Sequence, residues 1–154
     1  MSTTIMNNES DKKIMIGALV SGVINAIING GIQWYLLSGH DTLALTVDGI
    51  TNDEHTVFGA AVPLAVSLAM ILTAVAYTSI PKPRPPFLPG YLWLVFKHGI
   101  FALGLIITFA VIWQRVLGTV FVSLPMAVII LGLVAGVVSA IVNYMTIKSA
   151  ETKA

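Results

Sequence analysis

Four long apolar runs, separated by short polar segments, limit what this chain can fold into more than any other feature. They cover residues 14–37, 57–80, 91–113 and 125–147. A helix rises about 1.5 Å per residue, so each run is long enough to cross a hydrocarbon core about 30 Å thick. Because backbone polar groups in lipid must be satisfied within their own segment, each run is predicted to be a helix. The sequence therefore predicts an all-α integral membrane protein whose four transmembrane helices form an antiparallel bundle.

The composition agrees with lipid as the main solvent. Charged residues make up only 10% of the 154 residues, against roughly a quarter in soluble domains, and the mean hydropathy is +0.91. The net charge is +1, and no basic patch with interleaved aromatic residues occurs, so nucleic acid is not an expected partner. The chain has no cysteine, which excludes disulfides, thiolate metal sites and cysteine nucleophiles. No cofactor is predicted.

The distribution of Lys and Arg predicts the orientation. When four spans are threaded, most basic residues fall on one side, namely Lys12, Lys13, Lys82, Arg84, Lys148 and Lys153. The first loop, residues 38–56, has acidic residues but no Lys or Arg. Since basic loops stay in the cytoplasm, residues 1–13 and 148–154 are predicted to be cytoplasmic tails of a single domain, residues 14–147. The predicted location is the plasma (cytoplasmic or inner) membrane.

Residues between the spans predict where the helices begin and end. Thr51 and Glu54 have the spacing of a capping box before the second helix, and Asp53 adds negative charge there. Pro81 predicts the end of that helix. Gly118 is a predicted stop after the third helix.

The loops contain a second predicted helix cap and a predicted strand. The cap is Ser123, before the fourth helix. Within residues 41–48, apolar and polar residues alternate as in a short strand. This segment is interpreted as an extended loop that rests on the bundle or, alternatively, as an edge that pairs with a neighbouring protomer.

Polar side chains recur at every fourth position of the first span. They are Ser21, Asn25, Asn29 and Gln33. Each step of four advances the position by about 40° around a helix, so the set occupies one face. Polar side chains in hydrocarbon are costly and normally face the bundle interior, a partner or a water-filled cavity. Together with Asn143 of the fourth span, they are the candidate pathway or packing residues.

The fourth span resembles the first. Residues 133–143 and 19–29 are identical at seven of eleven positions. Gly132 and Gly136 also form a Gly-xxx-Gly pair, which lets two helix backbones approach closely. Two interpretations stay open: a packing requirement that both helices share, or an inverted repeat of the kind found in transporters.

Four further residues within spans are candidates for function, namely Gly59, Pro63, Lys97 and His98. Pro63 frees the backbone carbonyl of Gly59 and predicts a bend in the second helix. Lys97 and His98 lie near the cytoplasmic end of the third span as candidate charge or proton sites. A lysine so placed usually extends to the interface. A histidine titrates near neutral pH, and a hydrogen-bonded packing role is the alternative.

Enzyme activity is not predicted. The spans contain no Asp or Glu, and His98 is their sole acid–base candidate. The lack of a buried carboxylate also argues against a proton-coupled exporter of cations. Six loop residues carry groups that can ligate metal, but without a motif spacing, so no metal site is predicted. They are His40, Asp41, Asp48, Asp53, Glu54 and His55.

These features predict a small multi-pass permease or channel-forming subunit for a neutral or anionic small solute. Four helices rarely enclose both a core and a wide pathway, so a homo-oligomer in the lipid bilayer is expected. The alternative is a non-transporting accessory or assembly subunit that binds other membrane subunits. Its asparagines would then hold helices together.

Overall fold

The computed structural model describes residues 2–50, 55–78 and 86–151, with side chains placed for residue 9 and for 11–50, 55–78 and 86–149. Within these ranges four long helices occur, namely α1 Ser2–Leu37, α2 Val57–Thr78, α3 Leu92–Leu117 and α4 Leu124–Glu151. Several residues with predicted roles lie outside the described residues. They are Thr51, Asp53, Glu54, Pro81, Lys82, Arg84 and Lys153.

All four helices are long and apolar enough to cross a membrane. The qualifying segments are Asp11–Leu37, Val57–Thr78, Phe87–Leu117 and Leu124–Ser149. The third includes an irregular turn, Phe87–Tyr91, in which Leu88 has extended backbone angles (φ −101°, ψ 140°), and this turn leads into α3. The prediction of a helical protein with four potential membrane spans is confirmed. The predicted N-terminal tail is itself helical, since α1 begins at Ser2.

A two-stranded antiparallel sheet lies at one end of the helices, which we call the sheet end. Strand β1, Thr42–Leu45, follows α1, and strand β2, Val120–Ser123, precedes α4. The alternation in the first loop is explained by β1, because Leu43 and Leu45 are buried while Thr42 is exposed. The strand pairs with β2 of its own chain.

The helix ends are defined at three positions. At Gly118 φ is +70°, and its N–H donates to the carbonyl of Gln114 over 3.1 Å, so the predicted end of α3 is confirmed. The α2 cap within the described residues is Thr56, whose Oγ1 accepts a hydrogen bond from the Gly59 N–H over 3.0 Å. Ser123 lies in β2 directly before α4 begins.

The helices pack in the order α1, α4, α2, α3. The pairs α1–α4 and α2–α3 are antiparallel, as predicted for a bundle. However, α2 and α4 both begin at the sheet end and pack on each other in the same direction. The opposite end, which we call the termini end, is where α1 begins, α4 ends and Asp11 pairs with Lys148.

The core is centred on α2 and α4. Its fully buried members are mostly small, such as Ala65, Ala69 and Ala127, with Leu131 as the largest from α4. Small side chains bring helix axes close together, which is how membrane helices gain packing energy without a hydrophobic driving force. This packing leaves α1 on the outside of α4, where one face of α1 is covered and the remainder is exposed.

Candidate functional site

The contact between α1 and α4 brings the two backbones together through small residues. A Cβ atom added at Gly22 would lie 2.8 Å from the Gly136 carbonyl oxygen and 3.1 Å from the Ala140 Cβ. A Cβ atom added at Gly136 would lie 3.1 Å from both the Ala26 Cβ and the Gly22 carbonyl oxygen. At Gly22 an added Cβ would therefore require the backbones to move apart, whereas at Gly136 it would be tight.

These contacts also explain the similarity between the two segments. In the alignment of residues 19–29 with 133–143, Gly22 corresponds to Gly136 and Ala26 corresponds to Ala140. The contact of Gly22 with Ala140 is thus the counterpart of the contact of Gly136 with Ala26. The two segments meet each other with equivalent residues, as the two sides of a local twofold contact do. A shared packing requirement and an inverted repeat both predict this arrangement, so both interpretations stay open.

The predicted polar residues of α1 lie along one edge of this contact. Ser21, Asn25 and Asn29, which we call the polar edge, each precede a small residue that faces α4. All three are half-buried, whereas Val23 and Ile27 are 61% and 71% exposed. The polar edge therefore lies beside the α1–α4 contact and apart from the exposed apolar face of α1. Gln33 continues the stripe and is 8% exposed.

The amides of the polar edge bind to their own helix. The Asn25 Nδ2 donates to the Ser21 carbonyl oxygen over 2.9 Å, and the Asn29 Nδ2 donates to the Asn25 carbonyl oxygen over 2.9 Å. A carboxamide has two N–H donors and an oxygen with two lone pairs. These bonds to the backbone use only part of that capacity, so the edge can still bind water, a solute or another chain.

Helix α4 adds two buried polar atoms that have no hydrogen-bond partner among the residues the structure describes. They are the Ser139 Oγ and the Asn143 Oδ1. Ser139 is fully buried. An orphaned buried polar atom costs about 1–3 kcal/mol unless a partner is supplied. Asn143, predicted from the sequence to share the pathway with α1, is thus a second polar group of α4 with unused capacity.

Lys97 and His98 are adjacent in sequence but point in different directions. Lys97 is exposed and lies on the same outer face of α3 as Trp93 and Ile100, which are 63% and 64% exposed. His98 is 3% exposed and lies among α2, α3 and α4. The structure therefore separates the two residues that the sequence analysis grouped.

The His98 ring connects three helices through two threonines. Its Nδ1 lies 2.8 Å from the Thr73 Oγ1 and 3.4 Å from the Thr146 Oγ1. Each threonine hydroxyl donates its only proton to a carbonyl of its own helix, that of Ala69 or Val142, over 2.7 Å. Both hydroxyl oxygens are thus acceptors, and we assign the proton of the neutral ring to Nδ1. This leaves Nε2 as the nitrogen that could gain a proton.

Sequence reasoning missed Thr73 as a member of this cluster. Thr146 was recognisable on the polar face of the fourth span, but nothing in the sequence pairs Thr73 with a histidine 25 positions away. The one available signal was a hydroxyl within an apolar helix. Such hydroxyls commonly bond to their own backbone, as Thr73 does, so the signal is weak.

Gly59 and Pro63 lie at the start of α2, near the sheet end. The helix continues through Pro63 from Val57 to Thr78. Pro63 is exposed on the outer face together with Ser67, whose hydroxyl donates to the Pro63 carbonyl over 2.6 Å. The proline therefore lies away from the buried face of α2, and Gly59 packs against the first loop at Gly49.

The histidines of the first loop come together at the sheet end. The rings of His40 and His55 are edge-to-face, with 4.9 Å between their centroids. The Asp48 carboxylate accepts a hydrogen bond from the Thr46 hydroxyl over 3.1 Å. Among the residues that the structure describes, no three His, Asp or Glu side chains form a group that could hold a metal ion.

The fold and these contacts define a helical protein with four segments able to span a membrane and a half-buried polar edge on α1, one of its two outer helices. Comparison with known proteins does not narrow this class: no family model, curated protein or solved structure matches the chain.

Proposed function

We propose that this protein is a small membrane permease or channel-forming subunit whose pathway runs along the polar edge of α1. The observation that carries the proposal is the pair of carboxamides, Asn25 and Asn29, whose hydrogen-bonding capacity is only partly used within α1. At membrane depth such groups are costly unless they meet water, a solute or another polar group. A pathway for small polar solutes provides those partners.

The order of the helices favours an oligomer for this function. Because α1 packs chiefly on α4, it lies at one end of the row rather than in a ring around a central space. The polar edge can therefore bound a pathway most directly when a second copy covers it. Acting as a homo-oligomer is thus part of the proposal.

The chemistry of the spans favours a neutral or anionic solute. Amides both donate and accept hydrogen bonds and carry no charge, and no Asp or Glu lies between residues 57 and 147 or 14 and 37. We further propose that both termini are cytoplasmic, because the basic residues fall on that side, and that the protein resides in the plasma or inner membrane.

A second function is favoured by one specific observation. The amide nitrogens of Asn25 and Asn29 donate to carbonyls of α1 itself, which lowers their cost in lipid without any pathway. In an accessory or assembly subunit, a helix of another membrane protein would satisfy the remaining capacity. Such interhelical bonds contribute about 0.6–2 kcal/mol each.

Flux into liposomes containing the purified protein tests the first proposal. Glycerol and urea would be followed by stopped-flow light scattering, and chloride by a halide-quenched dye. We expect at least one probe to enter faster than in protein-free liposomes, and Asn25→Ala with Asn29→Ala to change that rate at least several-fold. Val23→Ala and Ile27→Ala, on the exposed face of the same turns, serve as matched controls and should leave it unchanged.

Two outcomes would contradict the permease proposal. One is a flux that the polar-edge variants and the exposed-face controls leave equally unaltered, since the pathway would then lie elsewhere. The other is no flux of any probe together with a membrane protein that co-purifies with the unaltered chain and is lost from the Asn25→Ala variant. That second result would support the accessory role.

A further inference from the structure

A groove with an entirely apolar lining opens along the α1–α4 contact in the half of the protein nearest the termini end. Its volume is about 230 Å³, and its walls are Met15 and Leu19 of α1 and Ile141, Tyr144 and Met145 of α4. Ala18 and Ala140 form its floor. Small floor residues let the helices approach while leaving no side chain to fill the crevice between them.

The groove lies on the side of the α1–α4 contact that is opposite the polar edge. Ser21 precedes Gly22, a residue at the centre of the contact, whereas Leu19 follows Ala18, another central residue. Successive residues of a helix are about 100° apart, so a preceding and a following neighbour fall on opposite sides of the contact line. The proposed pathway and this groove are therefore different surfaces.

Helical spacing places basic residues beyond the lining residues of the groove, toward the termini end. Lys148 follows Tyr144 by four positions and Ile141 by seven, which places it on the same face of α4. Lys12 precedes Met15 by three positions and Leu19 by seven, and it is exposed. The carboxylate of Asp11 at this end is paired with Lys148. Because Lys148 is paired with Asp11, Lys12 supplies the exposed positive charge beyond the apolar interior of the groove.

The groove extends over about two thirds of the depth of one membrane leaflet. From Lys12 to Leu19 a helix rises about 10 Å, against about 15 Å for half of the hydrocarbon core. Tyr144, which is 37% exposed, forms part of the wall, and tyrosines favour the membrane interface. A lipid of that leaflet would therefore have its headgroup beside Lys12 and its chain in the groove.

We propose that this groove is a binding site for an anionic phospholipid. One acyl chain packs between Leu19 and Met145 over the floor alanines, and the phosphate lies beside Lys12. Lysines near a membrane surface contribute about 1 kcal/mol each toward anionic lipid. That contribution gives a preference of about fivefold per lysine over a zwitterionic lipid with the same chains.

Native mass spectrometry of the detergent-solubilised full chain tests the proposal, with phosphatidylglycerol and phosphatidylcholine of identical acyl chains as probes. We expect tighter binding of phosphatidylglycerol and about fivefold weaker binding of it by Lys12→Gln. The matched control is Lys13→Gln, which removes the same charge one residue away on the other side of α1 and should bind like the unaltered protein. Equal binding of the two lipids, or equal losses in the two variants, would overturn the proposal.

A second pair of variants tests the apolar part of the site. Leu19→Trp places a larger ring in the groove wall and should reduce phosphatidylglycerol binding several-fold, whereas Val20→Trp, on a neighbouring exposed position, should not. If both tryptophan variants bind the lipid like the unaltered protein, the acyl chain does not occupy the groove. Because both positions lie away from the polar edge, these results are independent of the flux measurements.

Discussion

The contact of α1 with α4 and the contact of α2 with α3 hold helices together in different ways. The first brings backbones together at Gly22 and Gly136. The second uses large rings, such as Phe58 and Phe109 with centroids 6.2 Å apart. In lipid, apolar burial gives little driving force, so helix contacts depend on close packing and polar bonds. The comparison shows two solutions to this requirement within one chain.

The two contacts also differ in how they treat polar groups. Along α2–α3, His98 and Thr73 form a hydrogen bond between helices over 2.8 Å. Along α1–α4, the amides of Asn25 and Asn29 bind to their own helix and retain unused capacity. The His98–Thr73 pair is thus satisfied within the chain, although the Trp113 Nε1 on the same side has no hydrogen-bond partner among the described residues. Along α1–α4, by contrast, two adjacent amides of one helix keep capacity for further partners. For this reason we place the proposed pathway along α1.

The largest expected effect comes from adding a methyl group where the backbones meet. Gly22→Ala forces a shift against the Gly136 carbonyl, and overpacking of this kind costs about 1–3 kcal/mol. Unfolding by SDS titration in mixed micelles would measure it. The matched control is Gly31→Ala, because no neighbouring atom lies within 4 Å of the added Cβ. That variant should be as stable as the unaltered chain or gain up to about 1 kcal/mol, since alanine is the better helix former.

Equal stability of Gly22→Ala and Gly31→Ala would mean that α1 does not approach α4 as described. The distinction between the backbone contact and the ring contact would then be lost.

An intermediate effect is expected from His98→Ala. This change removes the bond to Thr73 and the longer contact to Thr146, which link α3 to α2 and α4. An interhelical hydrogen bond in a membrane contributes about 0.6–2 kcal/mol, and the same SDS titration would detect the loss. Lys97→Ala, its exposed neighbour, is the control and should leave stability unchanged. Similar losses in both variants would show that the His98 cluster does not stabilise the α2–α3 side.

The smallest effect is expected from Ser139→Ala. The Ser139 hydroxyl is buried without a hydrogen-bond partner in the described part of the chain, so its removal should be neutral or stabilise by up to about 1 kcal/mol. Thr73→Ala, which removes a buried hydroxyl that does have partners, is the comparison and should destabilise. A clear loss of stability in Ser139→Ala would show that this hydroxyl has a partner, such as water or a second chain.

The number of spans and the face of α1 that packs on α4 were predictable from the sequence. Apolar length defines a membrane helix, and polar residues spaced by four define a face, as Ser21, Asn25 and Asn29 do. The end of α3 at Gly118 was also predictable, because glycine readily adopts the positive φ found there. These features depend on local sequence only.

The packing order and the sheet were not predictable in the same way. The strand-like alternation of residues 41–48 pointed to β1, but its partner β2, Val120–Ser123, lies more than 70 positions away in a short loop. Likewise, the similarity of residues 19–29 to 133–143 did not show that these segments touch. Such pairings depend on which helices are neighbours in space. The apolar residues of a span do not determine which helix it packs on.

The side of α1 that meets acyl chains is the central claim, and nitroxide labels placed singly at 23, 25, 27 and 29 measure it most directly. The native chain has no cysteine, so each introduced label is unambiguous. In bilayers, we predict frequent collisions with dissolved oxygen at Val23 and Ile27 and infrequent collisions at Asn25 and Asn29. Collisions with a water-soluble nickel chelate at 25 and 29 would further support a pathway. Maximal oxygen collisions at 25 and 29, with minima at 23 and 27, would contradict the account.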